Sequence, residues 1–127
     1  MSDVYNYVKY QNLLDLPDTW TQIGSLTTEN SPSGVYEFKM ALSWVFDRTT
    51  ESVFYRWRET DEQGVWSAWN ESEAEPKNKT DTNNAFYSYP IEWAGGVKHF
   101  DVEVMKELNS IGQLDVNFFD MVWEFKK

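Results

Sequence analysis

The sequence predicts an all-β protein: two antiparallel sheets packed as a sandwich, with a short N-terminal arm. Several stretches carry apolar residues at a period of two, the mark of strands with one buried face. Turn-forming residues separate those stretches, and no apolar stripe follows the helical period over a useful length. At 127 residues the chain supports one domain, because this length buries about 65 to 70% of the unfolded surface without disulfide or metal staples.

Residues 1–18 differ from the rest. Tyr5, Tyr7 and Tyr10 stand in a polar stretch, and Leu13, Leu14 and Leu16 form a cluster that ends at Pro17. Such a piece has adhesive side chains but no core of its own, so it reads as a docking arm; a leader packed along its own domain is the alternative. Residues 19–127 then make the sandwich. Tyr36, Phe38, Met40, Leu42, Trp44 and Phe46 alternate with Glu37, Lys39, Ser43 and Asp47 along one long strand. After a turn at 48–51, Val53, Tyr55 and Trp57 oppose Ser52, Arg56 and Arg58, and the two strands are expected to pair as a hairpin. The polar run 59–64 ends in Gly64, and Trp66 and Trp69 are expected to open a short strand after it.

From Asn70 to Asn84 no residue is aromatic or aliphatic beyond alanine, so the stretch is expected to bury nothing and to form a surface loop or edge excursion. Ala85, Tyr87, Tyr89, Ile91 and Trp93 resume the alternation, and Pro90, which lacks an N–H, assigns this strand to an edge or a bend. Gly95 and Gly96 turn the chain into Phe100, Val102 and Val104, and a further turn at 109–112 leads to Leu114, Val116 and Phe118. There the apolar phase slips to Phe119, Met121, Trp123 and Phe125, as a β-bulge or a strand buried on both faces would produce. About seven strands result, for which a jelly roll is the preferred topology. Alternation alone leaves an immunoglobulin-like sandwich open, and the lack of cysteine removes only its antibody-type variant.

Composition narrows the chemistry. There is no cysteine and one histidine, which excludes thiolate zinc sites, cysteine nucleophiles and multi-histidine metal centres. The net charge of -10 disfavours nucleic acid as a partner. No stretch reaches the roughly 20 apolar residues of a membrane span, and the N-terminus lacks the pattern of a signal peptide, so neither membrane insertion nor export is expected. The sequons at Asn70 and Asn78 are then expected to stay unmodified.

The best acid–base candidates are His99, Asp101 and Glu103, which share one strand face, but a solvated outer face opposite Phe100, Val102 and Val104 is the favoured explanation, since the alternation already accounts for the charges. Glu71, Glu73, Glu75 and Asp81 are the candidate calcium ligands, but they lack the spacing that wraps oxygens around one ion. With no nucleophile, phosphate-loop or metalloprotease motif, the chain is expected to be no enzyme and to need no cofactor.

Seven Trp, seven Tyr and eight Phe exceed what a small core normally holds. Trp44, Phe46, Tyr55 and Trp57 are assigned to the core, whereas Trp66, Trp69 and Trp93, near turns or strand ends, are candidates for a subunit interface or for stacking on sugars.

The succession WTQIGSL at 20–26, SGVYEFKMALSW at 33–44, SVFYRWR at 52–58 and WSAWNE at 66–71 resembles the small β-sandwich proteins of tailed-phage virions. KTDTNNAFYSYP at 79–90 and GGVKHFDVEV at 95–104 extend the likeness over residues 19–126. The resemblance implies a tumour-necrosis-factor-like jelly roll that assembles as a homotrimer. It further implies a capsid decoration, cement or head-fibre protein, made in the host cytoplasm and bound to the major capsid protein through the arm or the base of the domain. A carbohydrate- or receptor-binding tip of a tail fibre, with host glycan as partner, is the alternative, and a DNA mimic ranks behind both.

Overall fold

The computed structural model describes the backbone of residues 4–9, and residues 13–74 and 83–127 in full. Tyr10, Glu75, Asn78 and Asp81 lie outside the described residues, and Tyr5 and Tyr7 lie where only the backbone is described. Eight strands follow in order: β1 (Val4–Lys9), β2 (Thr21–Thr27), β3 (Gly34–Phe46), β4 (Val53–Glu59), β5 (Asn70–Glu73), β6 (Asn83–Trp93), β7 (His99–Lys106) and β8 (Leu114–Phe125). One sheet has the order β1-β8-β3-β6 and the other β2-β7-β4-β5. Strands β1 and β8, β2 and β7, β3 and β6, and β4 and β5 are antiparallel neighbours. The chain is thus one long hairpin, turned back between β4 and β5 and rolled until β8 meets β3 and β7 meets β4. That is the jelly roll, and it leaves the two sheets face to face with one core between them.

This topology corrects the expected hairpin of β3 and β4. The two strands occupy different sheets, and the turn between them carries the chain across the sandwich. Both strands still aim their apolar residues at the same interior, which is why alternation could not separate the two arrangements. The polar run also needs correcting. Strand β5 begins at Asn70 rather than at Trp66, which makes only an isolated bridge to Thr60, and Ala74 and Asn83 are both buried. Backbone hydrogen bonds to β4, not side-chain burial, hold β5, so a sequence without apolar residues still forms a strand there.

The other element readings agree with the structure. Among the described residues strand β6 is an edge that pairs with β3 alone, so Pro90 removes no ladder hydrogen bond that a second neighbour there would need. The phase slip in β8 is a bulge. Ser43 faces Phe118 and Trp44 faces Val116, so Asn117 is the extra residue that turns Phe118 outward and Phe119 inward. Gly95 and Gly96 both take φ of +115°, a conformation that side chains resist.

The core is aromatic. Trp123 stacks on Tyr36 at 4.2 Å, and Phe38 stacks on Phe100 across the two sheets at 4.0 Å. Buried polar tips find partners: Trp93 Nε1 donates to the Gly96 carbonyl and the Tyr36 hydroxyl to the Pro32 carbonyl. Gly24 lies so close to the ring of Phe119 that a Cβ there would come within 2.2 Å of it.

The segment read as an arm is tied to the sandwich. Strand β1 pairs along β8, the Leu13 N–H bonds the Val116 carbonyl, and the Leu16 N–H bonds the Leu114 carbonyl. Leu16 is a core residue at 6% exposure and Leu13 packs against the core, whereas Leu14 points to solvent.

Candidate interaction surfaces

The outer face of the β2-β7-β4-β5 sheet carries a ladder of alternating rings and guanidinium groups. Cross-strand pairing sets Arg56 opposite Glu103 and Arg58 opposite Asp101. Arg56 bonds Glu103 through Nε at 2.8 Å, and Arg58 Nη2 lies 3.1 Å from Asp101. These pairs hold both guanidinium planes upright on the sheet. Trp20 and Trp69 sandwich Arg56, at 4.4 and 4.1 Å, while Trp69 and Trp66 sandwich Arg58, at 4.6 and 4.2 Å. His99 ends the ladder, its ring 6.4 Å from Trp66 and its Nδ1 2.9 Å from Thr27 Oγ1. Cation–π contacts at half-exposed sites contribute about 0.5 to 1 kcal/mol each, so the ladder stiffens the surface of a thin domain.

The candidate site residues fare differently. Asp101 and Glu103 are engaged by Arg58 and Arg56, and His99 faces Trp66 and Thr27, so each of the three is held in a contact of its own. Glu71 lies near Arg56 and Glu73 bonds Ser52, and among the described residues no three potential ligands converge on a metal position. Trp93 belongs to the core at 4% exposure, edge-on to Trp123, and cannot meet a partner or a sugar. Trp69 has two guanidinium groups against its ring, Arg56 at 4.1 Å and Arg58 at 4.6 Å, which compete with a sugar for that ring. Of the three candidates, only Trp66 stays open, at 38% exposure.

Two features were missed from sequence. Lys98 is buried, at 1% exposure, with its ammonium 2.8 Å from Glu59, donating to the Thr60 carbonyl and lying 4.4 Å over Trp93. Its position was legible, because 98 shares the inward phase of Phe100, Val102 and Val104. The ladder also had a signal: two arginines spaced i, i+2 beside two tryptophans in the next segment.

Two further places have the character of contacts. At one end of the sandwich, Leu14, Leu108 and Ile111 are exposed on adjoining loops, which are tied together by the Asn109 N–H to Asp18 at 2.7 Å and the Lys106 N–H to the Pro17 carbonyl. Along the β5 and β6 edges, Tyr55, Trp57 and Tyr87 line a cleft with Asn70, Glu71 and Ser72. Burial, with Tyr89 and Tyr55 beside it, raises the Tyr87 phenol above its usual pKa.

Strand order, register and layers define the chain as a jelly-roll protein. No family model and no curated protein matches its sequence. Solved structures do share the fold. A chain of the T=1 particles derived from infectious bursal virus superposes with a TM-score of 0.71 at 9% identity, over 98% of this chain and 32% of that one. The VP2 subviral particle of infectious bursal disease virus gives 0.70 at 7% identity, over 98% and 33%. This chain therefore spans about a third of the length of those proteins.

Proposed function

We propose that this chain is a non-enzymatic virion structural protein of a tailed phage, a capsid decoration, cement or head-fibre protein that assembles as a homotrimer on the capsid surface. One observation carries this reading: the described residues form a single jelly roll of the kind found in the particle structures of infectious bursal disease virus. The carboxylates best placed for acid–base work are spent on arginines, which favours assembly over catalysis. Attachment to the major capsid protein runs through the apolar loop end, where Leu14, Leu108 and Ile111 would be covered, with the segment before β2 beside it.

The test is addition of purified protein to preformed empty capsids of its phage. New density at shell symmetry axes is expected, and a variant with Leu14, Leu108 and Ile111 all changed to Ser should fold but no longer add. Failure of the wild type to add overturns the capsid reading, and sedimentation as a monomer at micromolar concentration overturns the trimer. A second reading, glycan binding, is favoured at the cleft where Tyr55 and Tyr87 lie over buried Trp57 beside the polar residues Asn70, Glu71 and Ser72. Quenching of tryptophan fluorescence by host glycans, lost in Tyr87→Ala, would support it; no quenching would dismiss it.

A further inference from the structure

The outer face of the other sheet carries a small socket. Register places Phe86 of β6, Ala41 of β3 and Asp120 of β8 in one row across the sheet. Ala41 is too small to fill its place between the other two, and a depression opens over it, walled by Phe86, Asp120, Lys39, Ser88 and Val122. Phe86 is 80% exposed and offers a free ring.

Asp120 gives the depression its chemistry. Its Oδ1 is hidden from solvent and has no hydrogen-bond partner among the described residues. Partial burial also raises its carboxyl above the usual carboxylate pKa, the mark of a charge short of compensation. The neighbouring groups are committed elsewhere. The Lys39 ammonium lies 2.9 Å from Glu124, Lys126 lies between Glu124 and Glu37, and the Ser88 hydroxyl bonds Glu37. A carboxylate whose one hydrogen bond comes from the Met121 backbone and whose Oδ1 is left unpaired, beside an exposed aromatic ring and a floor of Ala41 and Val122, suits a long cationic side chain. Its charge would meet Asp120, its flank Phe86, and its methylene stem the apolar floor.

We infer that this depression is a socket for a lysine or arginine presented by a partner protein other than this chain. The net charge of -10 sets two copies against each other and favours a partner of opposite charge over a second copy. The inference does not depend on the virion reading, since any protein with a protruding basic residue in an apolar setting meets the requirement.

The test titrates the isotope-labelled full chain with N-acetyl-arginine methylamide and N-acetyl-lysine methylamide, followed by NMR, with the uncharged citrulline analogue as control. Saturable shifts centred on Ala41, Phe86, Asp120 and Val122 are expected from the cationic probes and not from citrulline. Asp120→Asn should weaken binding about tenfold or more, because a charge-assisted contact is lost. Phe86→Ala should weaken it about two- to fivefold, the scale of one cation–π contact. Glu92→Gln, on the same face, removes one negative charge and should leave affinity unchanged. Shifts spread over the acidic surface without saturation, or equal weakening by Glu92→Gln and Asp120→Asn, would overturn the socket.

Discussion

The buried Lys98–Glu59 pair gives a quantitative expectation. The ammonium of Lys98 is almost wholly enclosed, and Glu59 is the carboxylate that compensates it at 2.8 Å. At an effective dielectric constant of about 20, that separation corresponds to about 6 kcal/mol of gross attraction, most of it offset by the desolvation of both groups. Glu59→Ala leaves the charge buried, among the described residues, with the Thr60 carbonyl and the rings of Trp93, Phe100 and Trp123. Breaking one side of such a pair costs about 3 to 5 kcal/mol, and the aromatic faces put this case at the lower end, about 3 kcal/mol. For a domain of this size the melting temperature should fall by roughly 10 °C. Lys98→Met removes the charge itself and keeps the volume, and Glu59, with its side chain 19% exposed, can turn toward water. That variant should lie within about 1 kcal/mol of the parent or above it, and combining it with Glu59→Ala should recover most of the loss. Urea unfolding of the four proteins completes the cycle. If Glu59→Ala costs less than about 1 kcal/mol, or Lys98→Met costs as much as Glu59→Ala, the reading of Lys98 as a compensated buried charge is wrong.

Three further expectations follow from the surfaces and the core. Trp69→Ala removes the ring shared by both arginines and should cost about 2 to 3 kcal/mol in urea unfolding, against about 1 kcal/mol for Trp66→Ala at the end of the ladder; equal losses would show that the rungs act separately. Because burial raises the Asp120 pKa in the folded state, the folded chain holds that proton more tightly than the unfolded one, and this stabilisation, present in acid, is lost as pH rises through the unfolded value and past the raised folded one. Asp120→Asn should therefore raise the melting temperature at pH 7 and bring no gain well below the carboxylate range; a gain that is the same at both would refute the assignment. Gly24→Ala drives a Cβ into the enclosed ring of Phe119 and should cost about 1 to 3 kcal/mol by thermal unfolding, whereas an unchanged melting temperature would mean that the ring has room to move.

Much of the fold could be read from residue alternation, because period two reports directly which side chains face the core. Tyr36 to Phe46, Val53 to Trp57 and Phe100 to Val104 were assigned on that basis, and the slip at Phe118 marked a true bulge. Alternation does not report which sheet a strand joins. Strands β3 and β4 face the same core from opposite sides, and a hairpin would have given them the same pattern. Nor does it register strands held by backbone bonds alone, which is why β5 was missed. At the candidate sites, proximity to turns made Trp93 look available, yet its odd-numbered phase with Ala85, Tyr87 and Ile91 already pointed inward.

The fate of the tryptophans bears on how this protein would assemble. Their number argued for a partner subunit, but four of the seven, Trp44, Trp57, Trp93 and Trp123, lie in the core. The other three, Trp20, Trp66 and Trp69, are claimed by Arg56 and Arg58 within the same molecule. An arginine between two indoles covers the ring faces that would otherwise seek a neighbouring chain, and its own charge is met by a carboxylate on the next strand. Most of the tryptophans therefore stabilise the domain itself and do not by themselves require a three-fold seam. Besides the open side of Trp66, places suited to contacts with other chains have a different chemistry: the aliphatic loop end around Leu14, Leu108 and Ile111, and the acidic socket beside Phe86. If the protein binds a shell, substitutions at the loop end should disrupt attachment while the tryptophan ladder stays intact.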